Sequence, residues 1–282
     1  MQHSSTVHGL DNALIASLIQ VVRDAARQEI MPRFRHLSAA QIKTKSGPDD
    51  LVTVADQASE RFITERVVEI LSGASVVGEE AAAEDPDVLS QINRSEWCVI
   101  IDPIDGTSNY AHGIAVFGVI LAVTYKGECV FGLLYDPVLD DWVLATKSDG
   151  AWFCRPGYDD VQLNPLAQPQ ISEAHGYVPL WLFDEAKQLH VITCYPQFQR
   201  VSCLRCSCHE YRQMALGHAQ FVVSPTPKPW DHAAGVLVLR ELGGAGSIGQ
   251  IDDYQPGVSN ARALVAGSKS VQREVRQIIF GA

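Results

Sequence analysis

The chain has no apolar run long enough to span a membrane. The longest, Gly113 to Tyr125, falls short of the ~20 residues a spanning helix needs, and its β-branched residues point to a strand. Positive charge is also in deficit. Lys and Arg number 22 against 33 Asp and Glu, for a net charge of −11. That balance argues against sequence-independent binding to nucleic acid or to an anionic membrane, both of which reward a basic face. No internal repeat or low-complexity tract is present. The 7 cysteines are an odd number spread thinly, which fits a reducing compartment better than a disulfide framework. Cys203, Cys206 and Cys208, beside His209, lack a second pair at matching spacing, so we read them as buried thiols rather than a zinc site. The first thirty residues carry Asp11, Arg23 and Asp24 in an amphipathic pattern unlike a signal peptide. A cytoplasmic protein with an ample core is expected.

What the chain does have is a set of acidic motifs, centred on Trp97 to Asn109. Five strand-forming residues run into Asp102-Pro103-Ile104-Asp105-Gly106-Thr107. On a regular strand Asp102 and Asp105 would point to opposite faces. Pro103 breaks the alternation, so both carboxylates and the Ile104 carbonyl can converge on one point. Oxygen ligands of this kind suit a hard divalent cation such as Mg²⁺. Gly106 lets the backbone come close to a ligand, and Thr107-Ser108-Asn109 offer hydroxyls and the N–H groups of a helix start, a place for an anion. Read alone, the same residues also make an ordinary turn.

Other acids stand at comparable places. Leu10, Leu14, Leu18, Ile19 and Val22 predict a first helix of about twenty residues closed by Pro32. A polar, locally basic loop over Lys43 to Pro48 reads as a flap near phosphate and metal, or simply as a solvated loop. Leu51 to Asp56 then leads into an amphipathic helix, with Asp56 at the N-cap. Ser75 to Glu80 reads as a short strand ending in two glutamates, and their mutual repulsion calls for a cation beside them. Gly113 to Cys154 reads as an antiparallel meander, and a boundary near 156/157 divides the chain into subdomains 1–156 and 157–282. In the second half Val191 to Cys194 and Phe221 to Ser224 are strand-like, and Cys208 to Gly217 reads as a helix. Asp231 stands at the start of a buried helix ended by Gly243-Gly244, and a strand over Ala263 to Gly267 precedes a final helix.

In order and spacing, Leu51-Val52-Thr53-Val54-Ala55-Asp56, Gly78-Glu79-Glu80, Asp102 to Thr107 and Trp230-Asp231-His232-Ala233-Ala234-Gly235 resemble the motifs of the inositol monophosphatase family of Mg²⁺-dependent, lithium-sensitive phosphatases. The resemblance implies a layered αβαβα sandwich, α+β with α/β character, and a phosphomonoesterase acting on a small phosphorylated metabolite. It implies that Glu79, Asp102 and the Ile104 carbonyl hold a first Mg²⁺ and that Asp102, Asp105 and Asp231 hold a second, with a third, weaker ion near Glu79. Glu79, Thr107 and Asp56 would be catalytic. Gly106, Thr107, Asp105, Ser207, Ser224 and Asp231 would meet the substrate, and a homodimer is common among relatives. Ser224 stands where animal inositol monophosphatases carry a glutamate that binds inositol hydroxyls, and Leu204 to Cys208 replaces their small-residue stretch. A sugar phosphate, histidinol phosphate or a 3'-phosphoadenosine nucleotide therefore stays in play as substrate, as does a regulatory binding role that retains the fold.

Overall fold

The computed structural model describes residues 7–45, 47, 51–258 and 261–281. Ser46 and Pro48 of the expected flap, and Asp49 and Asp50 after it, lie outside the described residues.

Helix α1 (Asn12–Ala25) starts at Asp11, whose carboxylate accepts the Ala13 and Leu14 N–H groups at 3.0 and 2.9 Å. It runs on through a π-helical turn over Ala26–Ile30 before Pro32. Strand β1 (Ile42–Thr44) pairs antiparallel with β2 (Leu51–Thr53), so Lys43 and Thr44 are strand rather than loop. In α2 (Val54–Ile70) the N-cap is Thr53, not Asp56. Asp56 sits three residues later and accepts the Thr53 N–H at 2.9 Å, while the Thr53 hydroxyl accepts the Ala55 N–H. A reciprocal capping box of this kind needs its acid one turn inside the helix.

Strand β3 (Ser75–Gly78) gives way to α3 (Glu79–Glu84), placing both glutamates in a helix's first turn rather than at a strand end. After α4 (Gln91–Arg94), β4 (Trp97–Asp105) leads into α5 (Thr107–Ala111). The expected meander follows as β5 (Gly118–Tyr125), β6 (Glu128–Asp136), β7 (Asp141–Thr146) and β8 (Ala151–Cys154), with β9 (Val161–Gln162) added at its edge. The rest of the chain runs β10 (His175–Tyr177), α6 (Glu185–Cys194), β11 (Arg200–Ser202), α7 (Ser207–Ala215), β12 (Phe221–Ser224), α8 (Pro229–Glu241), β13 (Ala245–Ile248), β14 (Ala263–Ala266) and α9 (Lys269–Phe280). Val191 to Cys194 is therefore the end of α6, not a strand. Val191 and Cys194, one helical turn apart, are buried, while Ile192 between them is 45% exposed. A short β-branched run had imitated a strand that the 3.6-residue period overrules.

Strands β3 to β9 form one seven-stranded sheet in sequence order, parallel only between β3 and β4. The second sheet has the order β11-β10-β12-β14-β13 and mixes parallel and antiparallel pairs. Alternation along β4 assigns its faces. Val99 and Ile101 pack with α1 and α2 residues, whereas Cys98 and Ile100 join a core with Tyr211 of α7 and Leu237 of α8. That second core also holds Val222 and Val265 of the five-stranded sheet, whose opposite face, Phe221, Val223 and Leu264, packs on Val191 of α6 and Val271 and Val275 of α9. Helices, sheet, helices, sheet, helices: the result is the expected layered α+β sandwich. Each such buried aliphatic side chain contributes about 1.5–3 kcal/mol. Among the described residues no helix is long and apolar enough to cross a membrane.

Candidate active site

The carboxyl end of β4 is where the site begins. Its pairing with β5 slips between Asp102 and Asp105, at the place Pro103 occupies. The irregularity turns both acids to one side while Ile104 keeps its side chain in the core. An oxygen from each of Asp102, Asp105 and Asp231 lies within 4.8 Å of the others. Asp231 comes from the first turn of α8, over a hundred residues away in sequence. One oxygen of Asp102 is buried with no hydrogen-bond partner among the described residues. A buried carboxylate oxygen without a donor costs ~1–3 kcal/mol or more. Three clustered acids with such an oxygen fit a hard divalent cation, which would satisfy it.

Burial and mutual repulsion raise the acids' pKa values. Burial, then the charge of Glu79 and Asp105, puts Asp102 well above the ordinary range, and burial with Asp105 and Glu79 does the same for Asp231. Asp105 is raised by burial to about 6, held from going higher by donors at the start of α7. These are the Cys208 N–H at 2.5 Å and the Cys206 thiol at 3.1 Å. Asp105 thus closes the N-terminus of α7, where a negative charge is favoured. Cys206 and Cys208, read from the sequence as inert core thiols, frame an acid of the site.

Gly106 adopts φ +86°, a left-handed conformation natural to glycine, and sets Thr107 at the first position of α5. The Thr107 hydroxyl lies 3.1 Å from Asp56 and 3.0 Å from the Ile104 carbonyl. Asp56 is fully buried, and burial, opposed by the Thr53 hydroxyl bond, moves its pKa up to about 7.

Glu79 stands apart from the aspartate cluster but lines the same cavity of about 640 Å³, with Asp105, Thr107, Ser207, Ser224 and Asp231. Its partner is a residue singled out in the sequence only as part of a basic loop. Lys45 Nζ lies 2.8 Å from Glu79 and 2.6 Å from Glu80, supplying the cation that two adjacent glutamates required. Burial works against the lysine's charge, but the glutamates outweigh it and hold its pKa above the ordinary value. Glu60 was missed altogether. Its carboxylate accepts the Glu80 and Ala81 N–H groups, both at 2.8 Å, and so caps α3. A Cβ on Gly78 would fall 2.2 Å from that carboxylate, so any larger residue there would push Glu60 out of its cap. The signal available was the spacing of Glu60 one turn beyond Asp56 on α2, which puts both on the same helix face.

Matching against family profiles assigns residues 11–277 to the inositol monophosphatase family. The chain belongs to that family. It is 32% identical over 206 residues to the inositol-1-monophosphatase of Bacillus subtilis, covering 72% of this chain and 74% of that one. Its fold superposes on the SuhB extragenic suppressor protein of Bartonella henselae with a TM-score of 0.80, at 22% identity over 95% of this chain and 99% of that one. It also superposes on SaIMPase-II bound to 2'AMP with a TM-score of 0.77, at 21% identity over 95% of each chain. Family membership makes the chain a phosphoric monoester hydrolase of a metal-dependent class, with a carboxylate cluster able to bind metal.

Proposed function

We propose that the chain is a Mg²⁺-dependent phosphomonoesterase for a small phosphorylated metabolite, an inositol-monophosphate-like compound or a sugar phosphate. The observation that carries this reading is the convergence of Asp102, Asp105 and Asp231 beside the Thr107–Asp56 pair. Glu79, Asp102 and the Ile104 carbonyl would hold one cation, Asp102, Asp105 and Asp231 a second, and Glu79 a weaker third. Bound divalent cations supply Lewis-acid stabilisation of phosphoryl and leaving-group oxygens and make water a better nucleophile.

The chain's own groups orient and deprotonate the attacking water. The Thr107 hydroxyl accepts a hydrogen bond from it and relays its proton toward Asp56, to which that hydroxyl donates at 3.1 Å. Glu79, paired with Lys45 in the structure, would position that water as ligand and base. As the new P–O bond forms in line, the ester P–O bond breaks, the departing alcohol oxygen takes a proton from bulk water and Asp56 gives its own back to bulk water, with no covalent enzyme intermediate. N–H groups of Gly106 and Thr107 face the phosphate oxygens, while Ser207 and Ser224 meet the hydroxyls of the organic part.

A nucleotide substrate is the second reading. It rests on Trp181, 43% exposed in the cavity wall with the Arg205 guanidinium 5.1 Å from its ring centre, a surface on which a base can stack. Histidinol phosphate remains a further candidate, and a regulatory binding role, suggested by the likeness to SuhB, would be an addition to catalysis. We place the protein in the cytoplasm as a homodimer by analogy with the family, to be checked by light scattering. The deciding experiment is phosphate release from a panel of inositol, sugar, histidinol and nucleotide phosphates with Mg²⁺, with and without lithium. Turnover should appear on at least one member and fall more than ~100-fold in a folded Asp105→Asn protein; undiminished turnover in that variant would remove the proposal.

A further inference from the structure

A second cavity, also about 640 Å³, opens beside the catalytic one, and Leu182 and Thr226 line both. Its chemistry is the reverse of the chain's. Against a net charge of −11, this cavity is lined by Lys187, Arg262 and Arg276 with Asp184 the single acid among its lining residues. The three cations come from separate elements: α6, the approach to β14, and α9.

One guanidinium is already fixed. Arg276 donates at 2.7 Å to the hydroxyl of Ser247, itself only 2% exposed on β13. Its nearest carboxylate, Asp252, is 3.5 Å away and 91% exposed, a weak, solvent-screened partner. Arg262 lies 5.1 Å over the Phe280 ring and is near enough to Asp184 for its charge to help lower that acid's pKa, with no ion pair between the two among the described residues. Lys187 is held by Asp184 at the rim. Two arginine forks, a rim ammonium and the Thr226 hydroxyl around a concave space form a site for phosphate oxygens, which arginine engages in pairs.

We propose that this cavity binds a phosphoryl group, either of a free phosphorylated effector or of a second phosphate on a substrate extending past Thr226. Position makes binding consequential. Thr226 lies between Ser224 and Asp231, on a connector stiffened by Pro225, Pro227 and Pro229, so an anion held there bears on the segment that carries two residues of the catalytic cavity.

The test uses the full chain freed of metal with EDTA and titrated with inorganic phosphate by ³¹P NMR. Phosphate in the second cavity is told apart from phosphate in the catalytic one by the arginine variants, since Arg262 and Arg276 line only the second. Saturable binding is expected, weakened at least tenfold in Arg262→Gln/Arg276→Gln and clearly weakened in Arg262→Gln, an exposed change that leaves the core intact should the double variant not fold. Asp105→Asn should leave it unaltered. Absence of saturable binding, or equal binding by the arginine variants, overturns the proposal, as does a response to Asp105→Asn alone. With Mg²⁺ present, a loss of kcat/KM confined to a bisphosphorylated substrate assigns the site to the substrate; unchanged kcat/KM for mono- and bisphosphates assigns it to an effector.

Discussion

Metal-free protein should become less stable as pH rises from about 4 to 7, and Mg²⁺ should reverse the trend. The reason lies in the raised pKa values of the site. Asp105 titrates near 3.8 when unfolded and at about 6 in the fold. Below 3.8 both states carry its proton; between 3.8 and about 6 the folded state keeps a proton the unfolded state has lost. The folded protein then binds more protons, so stability falls with pH, by up to ~1.36 kcal/mol per pH unit for each such group. Over the interval for Asp105 the loss is roughly 3 kcal/mol. Asp102 and Asp231 act in the same direction. A bound cation favours the charged carboxylates and removes the cost.

Urea unfolding followed by tryptophan fluorescence, in EDTA and in Mg²⁺ at each pH, measures the difference. The stabilisation by Mg²⁺ should grow from near zero at pH 4 to at least roughly 3 kcal/mol at pH 7, the share of Asp105 alone. Histidines contribute with the opposite sign. His232, buried and lowered to about 3, favours folding above its unfolded value of 6.5 and loses that contribution as pH falls toward 3. It acts in both arms, and subtraction cancels it. A difference flat across pH 4 to 7, or one that grows equally in Asp105→Asn/Asp231→Asn, would refute the reasoning.

Lys45→Met should lower the stability of the metal-free protein by about 1–3 kcal/mol, because Glu79 and Glu80 lose the cation between them; melting in EDTA against saturating Mg²⁺ should show the deficit shrinking when metal is present. Glu60→Ala should leave the Glu80 and Ala81 N–H groups unpaired, at a cost of ~1–3 kcal/mol, and weaken Mg²⁺ activation about 10–100-fold through Glu79, with Glu60→Gln milder on both counts. Thr107→Ala should lower kcat ~100-fold or more with little change in KM, since the hydroxyl acts on water rather than substrate, and steady-state kinetics on the best substrate will tell.

Much of the site was legible because it is written in short local motifs. Asp102-Pro103-Ile104-Asp105-Gly106-Thr107 carries its own bend, as the register slip in β4 bears out, and the meander from Gly118 to Cys154 follows from alternation and turn residues. Local chemistry also placed β12, α8 and α9. It misjudged Val191 to Cys194, where a β-branched run concealed a helix, and Asp56, where a capping box begins three residues earlier than the acid suggested.

Pairings between distant residues needed the folded chain. Nothing near Lys45 in the sequence announces Glu79 and Glu80, and nothing near Cys208 announces Asp105; each contact depends on how layers stack. Arg262, Arg276 and Lys187 meet only because α6, α9 and the strand between them pack on one sheet. Residue type and spacing govern what a segment can do by itself, since backbone geometry and solvation act over a few residues. Which charges face one another, and how far their pKa values move, depends on burial and separation in space, and those exist only after the core has closed.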